Sequence, residues 1–301
     1  MFPLPYRTVA GLALAGLACG DGASSAQPER PAPAPAAVAV TADAAPAAAG
    51  CERQPFATSL PIAEASGAAW LDGDTLLVVG DSGTSGQAIE IRGDTGEVVW
   101  HGKMPLDRGA TDDLEGLARV GETVYGITSS GYMRAWRRSR DGWRQVEQAY
   151  PIEPPGAGAL VCSGVNCGFN IEGLCLRDPR PDDGCAGFVA AKRDGRLYCL
   201  IWRGDRLVAD RGRSIEVTAG RLLSGCSFTD DGRLLAATNL FGGNAIYEIR
   251  GHERPSEARA VLVARAGPGF GEAIAAAPGG RVYRFSDTAR APSGVEKFVC
   301  R

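Results

Sequence analysis

The chain has 301 residues, 45% of them apolar, which is enough to bury a substantial core. Its 32 basic and 35 acidic residues leave a formal charge of −3, and no basic stripe interleaved with aromatics is present, which argues against a nucleic-acid partner. A helical period is nearly absent, which excludes a pair of α/β domains, while 41 glycines suit a chain of many tight turns.

Residues 1–19 read as a signal peptide. Arg7 precedes an apolar run from Val9 to Ala18, too short to span a bilayer but suited to a signal-peptide core. Gly16-Leu17-Ala18-Cys19 resembles a bacterial lipobox, with Gly where Leu is usual. That motif implies a lipid on Cys19 and a membrane anchor in the cell envelope, at the periplasm or outer membrane. Cleavage after Ser24-Ser25-Ala26 is the alternative and leads to soluble secretion; both readings export the chain. Residues 20–50 are rich in Ala and Pro and have little to bury, so a disordered linker is expected, followed by a single domain over 51–301.

Either cleavage removes Cys19 and leaves eight cysteines, an even set that points to disulfides in an exported protein. Cys51 and Cys300 stand at the two ends of the domain, and Cys162 and Cys167 could close a small loop. The pairing of Cys175, Cys185, Cys199 and Cys226 stays open. Metal binding by cysteine is the weaker reading, because Cys-x4-Cys here has no second pair and no nearby His.

One short pattern organises the domain. It runs Ala65-Ser66-Gly67, Asp113-Leu114-Glu115-Gly116, Asn170-Ile171-Glu172-Gly173, Leu223-Ser224-Gly225 and Gly271-Glu272-Ala273, with the small residues 49, 57, 52 and 48 apart. An apolar strand follows each, and then a β-rich run such as Leu76-Leu77-Val78-Val79. A period near fifty with several strands per unit is the signature of propeller blades. In chain order, blade one is expected over 67–103, blade two over 116–150, blade three over 173–217 and blade four over 225–266. Turns such as Asp72-Gly73-Asp74 and Arg193-Asp194-Gly195 separate the strands. Residues 151–170 form a long connection, read either as a functional loop over one face or as a disulfide-pinned insertion. The last repeat has three strands, 272–277, 281–286 and 296–300, and the unused segment Gln54–Leu60 would supply the fourth. The expected fold is all-β: a β-propeller of five four-stranded blades closed by an N-terminal strand and clipped by Cys51–Cys300.

The first strand of each blade lines the central channel, so Glu115, Glu172 and Glu272 should converge there, with Ser66 and Ser224 in the other two blades. Converging carboxylates call for a counter-charge, and Ca²⁺ suits an all-oxygen ligand set. Asp81, Ser129, Asn239 and Asp287 close second strands and offer more oxygens, while Asp112, Asp113 and Asn170 flank the glutamates. Capping or plain solvation of these side chains is the bland alternative. Asp113-Leu114-Glu115-Gly116-Leu117 and Asn170-Ile171-Glu172-Gly173-Leu174 resemble the Glu-Gly repeats of exported bacterial propellers of the esterase-like phytase type. More distantly they are similar to gluconolactonase and regucalcin-like propellers. The latter resemblance implies a metal site from Glu115, Glu172 or Glu272 with Asn239 and Asp287; the usual six blades of that group differ from five repeats here.

Asp81-Ser82-Gly83 is no protease nucleophile, because His101 and His252 are expected far from it. The five tryptophans read as inter-blade packing. Two function classes stay open: a monomeric envelope lipoprotein that binds a small molecule or protein at its channel face, and a metal-dependent hydrolase of an ester, lactone or phosphoester.

Overall fold

A computed structural model describes residues 50–153, 169–181, 184–218, 222–239, 244–288 and 291–301. The expected signal peptide with Cys19, the expected linker up to residue 49, and Cys162 and Cys167 with most of the 151–170 connection lie outside the described residues.

After two short strands, β1 (Cys51–Gln54) and β2 (Ser59–Ala63), the chain forms five antiparallel sheets. Blade one is β3 (Ala65–Trp70), β4 (Thr75–Gly80), β5 (Gln87–Arg92) and β6 (Val98–Lys103). Blade two is β7 (Leu114–Val120), β8 (Thr123–Thr128), β9 (Tyr132–Ser139) and β10 (Gly142–Pro151). Blade three is β11 (Ile171–Leu176), β12 (Gly187–Ala191), β13 (Arg196–Arg203) and β14 (Arg206–Glu216). Blade four is β15 (Leu223–Phe228), β16 (Leu234–Thr238), β17 (Ala245–Arg250) and β18 (Arg259–Arg265). Blade five has β19 (Phe270–Ala277), β20 (Arg281–Asp287) and β21 (Pro292–Cys300). The five-bladed propeller expected from the repeat is the fold.

The second strands explain why the blades stack. Side chains alternate across a sheet, so Leu76 and Val78 of β4 pack toward blade five while Leu77 and Val79 pack toward blade two. In β16, Leu234 and Ala236 face blade three, and Leu235 and Ala237 face blade five. Each sheet is therefore apolar on both faces, and five inter-blade layers form the core. The tryptophans serve these layers: Trp136 and Trp143 are buried between blades one and two, and Trp202 packs edge-on against Tyr125 between blades two and three.

Ring closure differs in detail from the single strand expected over Gln54–Leu60. Both β1 and β2 pair with β21, Cys51 opposite Cys300 and Leu60 opposite Ser293. The interruption begins at Pro55, which has no N–H to donate to a ladder, and Phe56 turns instead onto the ring of Tyr283 at 5.4 Å. Cys51–Cys300 is a disulfide, as expected. The pairing left open resolves into Cys175–Cys226, which joins the innermost strands of blades three and four, and Cys185–Cys199 within blade three.

The innermost strands β3, β7, β11, β15 and β19 touch in a closed ring, and the repeat's small residues make that contact. A Cβ on Gly173 would lie 2.6 Å from the Cα of Gly225, and one on Gly116 would collide with the backbone N of Leu174. Gly67, Gly116, Gly173, Gly225 and Ala273 thus pinch the channel to a void of about 10 Å³. A cavity of about 450 Å³ lies beyond it, at the far ends of the innermost strands.

The Cys51–Cys300 bond closes a loop of 249 residues. Replacing both cysteines by serine should cost about 5 kcal/mol by the loop-entropy relation, measured as the loss of unfolding free energy in urea.

Candidate functional site

The strand-start mouth is built by a bulge that recurs. In blade one Ala65 pairs with Gly80 and Gly67 with Val79, so Ser66 is an extra residue with no partner. The same irregularity isolates Glu115, Glu172 and Ser224, and in blade five it falls at Glu272 and Ala273. A bulge re-aims its extra side chain. Here it directs Ser66, Glu115 and Glu172 to the channel neck, which all three line.

A second recurring feature brings further side chains to the bulges. The backbone N–H just past the second strand donates to a carbonyl two residues before the bulge: Asp81 to Glu64, Ser129 to Asp113, Lys192 to Asn170, and Asn239 to Leu222. Each of these pairs then stands beside the bulge residue of its own blade.

The carboxylates fall into two groups. In the first, one oxygen from each of Asp81, Asp113 and Glu115 lies within 4.8 Å of the others. Asp113 and Glu115 are buried, and Asp81 is half-buried. The Ser129 hydroxyl donates to Asp113 Oδ2. Burial, followed by a hydrogen bond and like charge from Asp81, pushes the Asp113 carboxyl up to about 7. Burial and the charges of Glu172, Asp81, Asp113 and Glu272 hold the Glu115 carboxyl well above the ordinary range. Among the described residues, no lysine or arginine forms an ion pair with any of the three.

The second group carries its own cation. Lys192 Nζ lies 2.8 Å from Glu172 Oε2 and 3.8 Å from Glu272 Oε2. Burial opposes the Lys192 charge, but the two glutamates outweigh it and hold the ammonium protonated. Burial holds both the Glu172 and the Glu272 carboxyl above the ordinary range, against the pull of the Lys192 charge. The Asn239 amide donates to Glu272 Oε1 at 2.7 Å, and the Asn170 amide donates to Glu172 Oε1. The charge of Asp287 raises the Glu272 carboxyl further.

Of the five residues expected at a metal, Glu115 belongs to the first group and Glu172, Glu272 and Asn239 to the second, with the Glu172 and Glu272 charges still acting on Glu115 and that of Asp287 on Glu272. Lys192 was missed, although its signal is present: it occupies in blade three the position that Asp81, Ser129 and Asn239 occupy in theirs.

Buried scaffolding fixes the first group. The Arg134 side chain on β9 is fully buried and donates to the carbonyls of Thr111 at 2.7 Å, Ala110 at 2.8 Å and Asp107 at 3.2 Å, and to Asp107 Oδ1 at 3.1 Å. It thereby holds the segment that presents Asp113. Asp112 turns away from the channel and accepts the N–H groups of Gly83 at 3.2 Å and Ser85 at 3.1 Å, tying down the turn that follows Asp81. Neither histidine reaches this mouth. His101 pairs with Gln87 on the outer strands, and His252 binds the carbonyl of Gly232.

The chain matches no protein-family model and no curated protein. Among solved structures it is similar to the glutaminyl cyclase of Myxococcus xanthus, at 16% identity and a TM-score of 0.52 over 83% of this chain and 97% of that one. It is also similar to the PQQ-bound form of the aldose sugar dehydrogenase from Streptomyces coelicolor, at 13% identity and 0.51 over 84% and 99%. The likeness is one of fold. Nothing about chemistry follows from it.

Two outcomes follow from the geometry. Arg134→Met leaves buried carbonyls and the Asp107 carboxylate without their donor, and unfolding in urea should show a loss of about 3–5 kcal/mol. The second concerns pH. The folded pKa of Asp113, about 7, exceeds the roughly 3.9 of an unfolded aspartate. Its contribution to stability is thus complete below about pH 4 and is lost as pH rises through 7. With chelator present, stability should fall from pH 5 to pH 8, and Asp113→Asn should flatten that slope. An unchanged slope in the variant would contradict the buried placement of this carboxyl.

Proposed function

We propose that this is an exported, envelope-anchored propeller that holds one divalent cation, Ca²⁺, on Asp81, Asp113 and Glu115 and binds a ligand at that mouth. The observation that carries the reading is the contrast between the two carboxylate groups: one has Lys192 as its counter-charge, and the other has no ion-paired cation among the described residues. The donor set fits. Ca²⁺ takes carboxylate oxygens at 2.3–2.6 Å, and one oxygen from each of the three carboxylates lies within 4.8 Å of the others. Glu172, Glu272, Asn239 and Asp287, implied as ligands by the family resemblance, then serve as a neutralised wall beside the ion. The three disulfides support an oxidising, exported setting, and lipid on Cys19 is the proposed anchor.

The second reading is a metal-dependent hydrolase of an ester, lactone or phosphoester. It draws on the Glu172 and Glu272 carboxyls beside the triad, which burial raises above the ordinary range, because a raised carboxyl is suited to protonate a leaving group. A bound cation would supply Lewis acidity toward a substrate oxygen or a water.

Metal analysis of the purified protein, paired with melting curves with and without chelator, tests both readings. One Ca²⁺ per chain is expected, with a lower melting temperature in chelator and loss of the ion in Glu115→Gln. Turnover in an ester, lactone and phosphoester screen that chelator abolishes would select the hydrolase. Absence of bound metal and of any chelator effect would sink both.

A further inference from the structure

The channel has a second mouth, beyond the pinch and at the far ends of the innermost strands. It is a cavity of about 450 Å³, within the range of small-molecule sites. Its wall follows from the repeat. Three residues past each small residue of the neck, the five blades place Trp70, Arg119, Leu176, Phe228 and Ala276, and Arg177 adds a second guanidinium just past β11.

The two arginines differ from the other buried or half-buried arginines of this protein. Arg134, Arg196, Arg233 and Arg281 each have a carboxylate partner. Among the described residues, the Arg119 and Arg177 side chains form no ion pair and donate no hydrogen bond, although both residues are half-buried. Two aspartates at the rim do not engage them. Asp178 Oδ2 accepts the N–H of Gly121 at 3.2 Å, and Asp230 Oδ2 accepts that of Gly279 at 3.1 Å, so both serve to fasten the rim.

The aromatic walls are set in advance. Trp70 stacks on Tyr283 at 6.5 Å and 14° and carries the Arg281 guanidinium 4.7 Å above its ring. Phe228 has Arg177 5.9 Å from its centroid. Fixed planar walls beside guanidinium forks with unused donors are complementary to a flat apolar body bearing one anionic group.

We propose that this second mouth binds a small aromatic carboxylate, the ring between Trp70 and Phe228 and the anion on Arg119 and Arg177. The site is independent of the carboxylate mouth, from which the glycine neck separates it.

Isothermal titration of the purified protein with 2-naphthoate tests this, with neutral 2-naphthalenemethanol as the comparator. Saturable binding of one naphthoate per chain is expected, with the alcohol about tenfold weaker, as the loss of a charge-assisted hydrogen bond implies. Arg119→Gln and Arg177→Gln should each weaken naphthoate about tenfold without changing the melting temperature, again by loss of a charged contact. Glu115→Gln should bind naphthoate as the unaltered protein does. No saturable binding, equal affinity for acid and alcohol, or loss through Glu115→Gln alone would overturn the proposal.

Discussion

The structure depends on what is missing at five positions. Where Gly67, Gly116, Gly173, Gly225 and Ala273 meet, the innermost strands approach closely enough that backbone packs on backbone. Any larger side chain there would push the blades outward and open the inter-blade layers that β4, β12 and β16 fill from both faces. The close ring also forces the bulge before each small residue, because a regular strand would alternate through the neck and aim the glutamates elsewhere. Packing at the neck and the chemistry of the mouth therefore share one cause.

Much of this was legible beforehand, for identifiable reasons. The blades were readable because every repeat announces itself with a small residue, and the turn glycines mark the strand ends. The Cys51–Cys300 clip was readable because ring closure needs the two ends of the domain side by side. The division of the closing strand at Pro55 was harder to foresee, since Phe56 leaves the ladder for a partner, Tyr283, that is distant in sequence. Glu115, Glu172 and Glu272 were found at the channel because they sit in the repeat itself. Lys192 escaped because attention to oxygen donors passes over a lysine, even one in the same register as Asp81 and Asn239. Arg134 left no local sign, because its partners, Asp107 to Thr111, lie 23 to 27 residues upstream in an irregular segment.

The mouth handles charge in two ways within one small space. Around Glu172 and Glu272 the protein supplies its own ammonium and two amides. Around Asp81, Asp113 and Glu115 it supplies a hydroxyl and a tightly held backbone, with no ion-paired cation among the described residues. Burial alone would discourage both arrangements. Each is kept in place by the surrounding core, which the inter-blade layers make stiff.

The position of the Cys51–Cys300 bond also has a mechanical meaning. In an unclipped ring, tension on the polypeptide ahead of Cys51 would peel β1 from β21 one hydrogen bond at a time, beginning at the Cys51 end of the ladder. With a covalent link at that first rung, the load passes directly into β21, the strand nearest the other terminus, and the pairing beyond it stays slack. A propeller fastened in this way can be pulled from its leading end without its closure being the part that yields first.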